Sequence, residues 1–305
     1  QAGILLHDVG HGPYSHALEE VLVPGIHHED LSLLIMEKMN QEMGGALTLC
    51  LAIFTNQYER KFLHQLISGQ LDMDRLDYLS RDSFFSGVSE GVVYNDQLMV
   101  EEKAIYSVEK FLLARRQMYW QVYRHKTVLA AEKMLVRIVE RAREIFSPQD
   151  PAMATGSALD FFLGQSHINM NEQALDAFAR LDDVDLMAAT KKWMQHPDPI
   201  LGLLCKRLLN RKLYKVKIQH EPIDPAVLAA AQAKALVDWP MGEAALPYLV
   251  FTGEASNTTY QESEDSINIL YKDGSVRDIM DTDQSLIGER LRTPVKKFYI
   301  CSLTP

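Results

Sequence analysis

Five of the chain's ten histidines fall within its first 28 residues. The run His7-Asp8-Val9-Gly10-His11-Gly12-Pro13-Tyr14-Ser15-His16 holds three of them together with a carboxylate. An adjacent His and Asp can ligate one cation where a helix ends, and Gly10 is expected to stop such a helix so that the two side chains diverge toward a common point. Ser15 is expected to cap a following helix that carries His16 and Glu19, three residues apart on one face. Glu19 would then orient His16, which suits an imidazole that protonates a leaving oxygen. His27 and His28 stand just before another helix. Histidines in a polar loop are commonly ordinary surface residues, but crowding of this degree argues for chemistry.

A second constellation is Asp72-Met73-Asp74-Arg75-Leu76-Asp77-Tyr78-Leu79-Ser80-Arg81-Asp82. On a helix Asp74, Tyr78 and Arg81 or Asp82 share a face, while Leu76 and Leu79 turn elsewhere toward the core. Taken alone, this could be a solvated helix side laced with ion pairs. The His-Asp pair upstream changes the balance, because two ligands need a further carboxylate from a distant part of the chain to complete a hard-cation site. In a third segment, Arg115, Tyr119, Tyr123 and Lys126 rise along one helical side. That side offers two cations for a polyphosphate and two aromatic rings for a sugar or base.

These residues resemble the HD-domain dNTP triphosphohydrolases, within the HD-domain superfamily of metal-dependent phosphohydrolases. The string HDVGHGPYSH, the His28-Glu29 pair and LDMDRLDYLSRDSFFSGV carry the resemblance, which is strongest over residues 1 to about 130. It implies His7, Asp8 and Asp74 as metal ligands, with a first His upstream. It also implies His11 on a substrate phosphate, His16 as the catalytic histidine with Glu19 where a family member has Asp, and His28 as a further active-site histidine. Arg75 stands at a phosphate-contacting Lys, Tyr78 against the sugar, and Asp82 where a carboxylate reads the 3′-OH. Arg115 and Tyr123 match substrate-binding positions of an Arg and Tyr-x-His-Lys helix. A planar guanidinium and a point charge bind phosphate oxygens differently, so the Arg at position 75 is a departure that bears on the phosphate contact.

The elements that must position these groups can be read coarsely. Three- and four-residue apolar spacing runs to about Phe146: Leu31, Leu34, Ile35 and Met39, then Val128, Leu129, Met134, Leu135, Ile138 and Val139. Ser147-Pro148-Gln149-Asp150-Pro151 interrupts it. Helices are expected near residues 174–181, 184–194 and 200–209. Short strand-like runs follow at residues 213–218, 248–251, 267–271 and 298–301, with a hairpin turn at Lys272-Asp273-Gly274-Ser275. The expected fold is mainly α, with an HD-domain helical core over residues 1–146 and a smaller helical and α+β region over residues 147–305.

Composition bounds the function. The formal charge of -10 disfavours a broad nucleic-acid surface, since duplex binding needs an excess of Lys and Arg, although a small anion can still enter a locally positive pocket. Three scattered cysteines suggest neither a zinc knuckle nor a disulfide framework and fit a reducing cytoplasm. The longest apolar stretches fall well short of the roughly 20 residues of a membrane span. The chain opens at Gln1 on an apolar helical run with no capping residue ahead of it. An upstream segment is therefore expected, supplying the first His and leaving the helical core N-terminally incomplete here.

The expected function is metal-dependent hydrolysis of a dNTP to a deoxynucleoside and inorganic triphosphate. The divalent cofactor could be Mn, Mg, Fe, Ni or Zn. Two alternatives stay open: an HD-type nucleoside monophosphatase or phosphodiesterase, which would not need the segment from Arg115 to Lys126, and a nucleotide-sensing regulatory module with little catalysis. The resemblance also implies a homo-oligomer with regulatory nucleotides between subunits, for which no residue set can be assigned.

Overall fold

A computed structural model describes residues 1–82, 91–165, 167–257, 266–282 and 294–305, and the side chains of residues 78–82 and 91–94 lie outside that description. The fold is mainly α with a minor β component, as the sequence leads one to expect. The backbone falls into two units that interleave along the chain. The first holds Gln1–His7, Met36–Arg124 and Ser256–Lys296; the second holds Asp8–Ile35, His125–Ala255 and Lys297–Pro305.

In the first unit, helix Ile105–Met118 buries Ile105, Val108, Phe111 and Leu112, a spacing of three and four residues that makes one apolar stripe. That stripe packs with Leu71, Val100, Ile267, Ile269 and Ile279 into one core. Each such side chain contributes about 1.5–3 kcal/mol relative to exposure. Helix Met73–Asp82 packs beside it, so the core fixes the helix that carries Asp74 and Arg75.

A four-stranded sheet covers this core, in the order Gly91–Tyr94, Gln97–Glu101, Asn268–Leu270, Val276–Asp278. The middle pair runs parallel, with Val100 opposite Ile269. The expectation of unbroken helical pattern to Phe146 therefore fails at residues 91–101. Asn95 and Asp96 both adopt positive φ, 47° and 61°, as a two-residue hairpin turn of type I′ requires. The second hairpin is where the sequence puts it, with Gly274 at φ 82° in its turn.

In the second unit, helix Lys126–Ile145 is the spine. It buries Leu129, Met134, Leu135, Ile138, Val139 and Ala142 and packs against helix Pro199–Leu209. Asp198 caps that partner by accepting from the Leu201 N–H at 2.8 Å, and Arg141 pairs with the same carboxylate. Helices Glu172–Phe178, Asp183–Trp193 and Pro199–Leu209 lie close to their expected positions. Helix Pro225–Asp238, started by the Asp224 cap, is one the periodicity did not announce. Strand Lys215–Gln219 pairs antiparallel with the final strand, Lys215 opposite Ser302. Cys50, Cys205 and Cys301 are free and buried. Among the described residues no helix is long and apolar enough to cross a membrane.

Candidate active site

Helix Ala2–Leu6 ends at His7, three residues earlier than a stop at Gly10 would place it. The His7 Nδ1–H donates to the Ile4 carbonyl at 2.7 Å, because a carbonyl can only accept. The lone pair is thereby assigned to Nε2, the state in which an imidazole ligates a metal, with its other nitrogen anchored to backbone. Asp74 offers a carboxylate oxygen within 4.8 Å of a His7 ring nitrogen, although 66 residues separate the two in sequence. Both belong to the first unit, and Asp8 is the next residue along the chain, where the second unit begins. An imidazole and a carboxylate this close form a mixed nitrogen and oxygen donor pair that suits a divalent cation.

Asp74 sits in the first turn of helix Met73–Asp82, where an acidic side chain also favours the helix N-terminus. Asp72, just ahead of that helix, is a residue the sequence reading did not use. Its carboxylate is buried, accepts the Arg75 N–H at 2.7 Å and pairs with the Arg75 Nε at 3.1 Å. Burial raises the Asp72 pKa, against the pull of the Arg75 N–H and guanidinium. The guanidinium beside Asp74 is thus held by a neighbour three residues back. An Asp three positions before an Arg at a helix start is the sequence signal that could have shown this. The side chains of Tyr78 and Asp82 lie outside the described residues.

Gly10 answers to close approach and not to helix termination. A Cβ there would stand 2.1 Å from the His28 carbonyl oxygen and 2.3 Å from the Ser32 nitrogen, both backbone atoms. Its N–H donates to the buried Ser32 hydroxyl at 2.9 Å, which locks the loop onto helix His28–Glu42. Replacing Gly10 by Ala should therefore destabilise the protein by about 1–3 kcal/mol or more, since backbone cannot move aside as a side chain can. A thermal melt of Gly10→Ala that overlays the parent would show that the approach is looser than this.

Ser15 does not cap a helix. Tyr14 and Ser15 both take left-handed conformations, φ 57° and 52°, and lead into a single 3-10 turn, Ser15–Ala17, that no side chain caps. Two consecutive non-glycine residues in that region cost about 1–2 kcal/mol each. The Tyr14 N–H donates to Asp183 at 2.7 Å, which helps to hold the turn. Glu19 then opens the separate short helix Glu19–Leu22, whose last carbonyl, that of Leu22, accepts from Arg143 on the spine helix at 3.0 Å.

Within the second unit the structure brings His11, His16, Glu19 and His28 together. The Glu19 carboxylate accepts from His16 Nδ1 at 3.2 Å, His28 Nδ1 at 3.1 Å and the His28 N–H at 2.8 Å. His27 Nδ1 lies 3.5 Å from it. Sequence spacing paired Glu19 with His16 alone. Burial works against the charged carboxylate, but the His28 N–H and the two imidazoles outweigh it and hold the Glu19 pKa at about 2. His11 Nδ1 faces the Asp8 carbonyl at 3.3 Å, and its Nε2 is buried with no hydrogen-bond partner among the described residues. Burial, then His28, lowers the His11 pKa. The rings of His11, His16 and His28 stand 4.1 to 4.9 Å apart, centre to centre.

The third segment is not one continuous helical side. Helix Ile105–Met118, which carries Arg115, passes into a π turn over Tyr119–Tyr123, with the Arg124 N–H donating to the Tyr119 carbonyl at 2.7 Å. His125 caps a new helix from Lys126. Arg115, Tyr119 and Tyr123 therefore stay in the first unit, the two tyrosine rings edge to face at 5.7 Å, while Lys126 begins the spine of the second. A wider turn of this kind shifts the register and is common at functional sites.

Comparison with known proteins shows what the chain is similar to. Residues 88–154 match the model of the HD associated region. The solved structure of a phosphohydrolase from Bacteroides thetaiotaomicron is 42% identical, with a TM-score of 0.87 over 99% of this chain and 79% of that one. An uncharacterised protein of Bacillus subtilis is 32% identical over 70% of this chain and 52% of its own length. A deoxynucleoside triphosphate triphosphohydrolase homologue of Dictyostelium discoideum is 24% identical over 69% of this chain and 42% of its own. The chain spans about half the length of the curated relatives it matches.

Proposed function

The chain belongs to the HD-domain phosphohydrolases, and on that footing we propose that it hydrolyses deoxynucleoside triphosphates to a deoxynucleoside and inorganic triphosphate. The observation that carries this reading is the clustering of His11, His16 and His28, the last two on an ionised Glu19, in a chain whose His7 and Asp74 also converge. His7 and Asp74, with Asp8, are the residues to hold a divalent cation, whose chemistry would be to lower the pKa of a bound water and neutralise phosphoryl charge. Mn²⁺, Mg²⁺, Fe²⁺, Ni²⁺ and Zn²⁺ are all compatible with two carboxylates and an imidazole.

In this reading water attacks the α-phosphorus and the bond to the 5′ oxygen breaks. His16, held by Glu19 through Nδ1, protonates that oxygen from Nε2. His11 and Arg75 neutralise phosphate oxygens, Arg75 from a position fixed by Asp72, and His28 completes the imidazole cluster. Arg115 and Tyr123 attend the triphosphate and the sugar. A homo-oligomer, and regulatory nucleotides bound within it, belong to the same proposal. The dNTP assignment draws on the distant relative named for that activity.

Sugar selection tests it. Tyr78 would press where a ribose 2′-OH stands, and Asp82 would accept from the 3′-OH. The protein should therefore turn over dGTP well ahead of GTP, leave dGMP intact, and lose its preference for deoxyribose in Tyr78→Ala. Equal rates on GTP and dGTP would argue for a general phosphatase, and hydrolysis of dGMP alone for a monophosphatase.

A further inference from the structure

The three imidazoles have a property that proton transfer alone does not require. Each ring is fixed through the same nitrogen. His16 Nδ1 and His28 Nδ1 meet the Glu19 carboxylate, and His11 Nδ1 meets the Asp8 carbonyl. A carbonyl and an ionised carboxylate only accept, so all three Nδ1 atoms carry hydrogen, and each neutral ring places its lone pair on Nε2. Carboxylate or carbonyl behind one nitrogen, with the lone pair on the other, is the arrangement of metal-ligating histidines. His11 Nε2 is in addition buried without a partner among the described residues, an atom whose desolvation none of them offsets.

We propose that His11, His16 and His28 form a second cation site, selective for a borderline-soft transition ion such as Zn²⁺, and that its occupation blocks the seat of the substrate phosphate. One ligand nitrogen from each residue lies within 4.8 Å of those of the other two. Zinc bonds of about 2.0–2.1 Å in tetrahedral array bring ligand nitrogens to about 3.4 Å apart. Closing that gap falls to His16, whose side chain is 68% exposed and whose contact with Glu19 at 3.2 Å can follow a small rotation of the ring. A set of three imidazoles, with the Glu19 carboxylate engaged at Nδ1 of two of them, suits Zn²⁺, Ni²⁺ or Cu²⁺ and is poor for Mg²⁺. The donor pair of His7 and Asp74, with its carboxylate, has the opposite bias. Three protein ligands leave the fourth tetrahedral position to water, and the three imidazoles so engaged are withdrawn from the phosphate.

The inhibitory half of this proposal rests on the assignment of His11 and His16 to the substrate; the binding half does not. The test is therefore binding first. The intact chain carrying Asp74→Ala is dialysed against Zn²⁺ or Mn²⁺ and its metal is counted, with circular dichroism as a check on folding. It should hold about one Zn²⁺ per chain and no Mn²⁺. Adding His16→Ala, an exposed position whose loss should spare the fold, should weaken Zn²⁺ binding by more than about 10-fold, and His28→Asn should do the same. No Zn²⁺ on the Asp74→Ala chain, or unchanged Zn²⁺ affinity after both further substitutions, overturns the site. On the unaltered Mn²⁺-loaded protein, added Zn²⁺ should raise the apparent KM for dGTP, and inhibition indifferent to dGTP concentration would overturn the placement at the phosphate seat. A chain that binds Zn²⁺ as described yet hydrolyses no dNTP would support the site while refuting the proposed function.

Discussion

Replacing His16 with alanine should lower kcat on dGTP by roughly 10²-fold or more while leaving bound Mn²⁺ unchanged. The imidazole sits in the strained turn Ser15–Ala17, 68% exposed at its side chain, and touches Glu19 at 3.2 Å. Glu19 stays ionised far below neutrality, so it holds Nδ1–H and leaves Nε2 for the proton that the leaving oxygen needs. Loss of the ring removes a proton donor and none of the residues assigned to the Mn²⁺ site. A purely structural role would move other quantities, so the leaving atom is the discriminating probe. With a substrate whose 5′ bridging oxygen is replaced by sulfur, which departs without a proton, the deficit of His16→Ala should shrink toward the parent rate. Equal activity of parent and variant on dGTP would remove His16 from the mechanism. A deficit that persists undiminished on the sulfur substrate would reassign it to binding.

Much of this site was legible because its parts are local. His7, Asp8, His11 and His16 share ten positions of sequence, and the His16 to Glu19 contact follows from a spacing of three. The spine helix was legible from its buried stripe, Leu129 through Ala142. What spacing could not show was the second partner of Glu19. His28 reaches it only because Gly10 lets the loop touch the start of helix His28–Glu42, a tertiary contact with no periodic signature. The π turn at Tyr119–Tyr123 was illegible for a similar reason, since apolar periodicity assumes a constant turn and cannot register one widened residue. By contrast, the hairpin over residues 91–101 did carry a signal. Asn95-Asp96 between two Val- and Met-bearing runs is turn chemistry that tolerates left-handed backbone, and it was outweighed by the helical pattern on either side.

The metal ligands should answer differently from His16. Asp74→Ala should lose both bound Mn²⁺ and activity, by more than the roughly 10–100-fold typical of residues that only support a ligand. Its carboxylate lies within 4.8 Å of a His7 nitrogen whose ring is already anchored to the Ile4 carbonyl, so His7 keeps its orientation when Asp74 is removed. The imidazole alone is a poor host for Mn²⁺, which prefers oxygen donors and charge neutralisation. Helix Met73–Asp82 would also lose an acidic group from its first turn, worth about 0.3–1 kcal/mol, a small effect that cannot account for complete loss of activity. Asp74→Asn separates the two contributions further, because the amide preserves size and a carbonyl oxygen but supplies no charge. It should melt near the parent and still bind Mn²⁺ weakly, with turnover well below that of the parent even at saturating metal. Stoichiometric Mn²⁺ retained by Asp74→Ala would place this helix among salt-bridged surfaces and separate His7 from any shared cation.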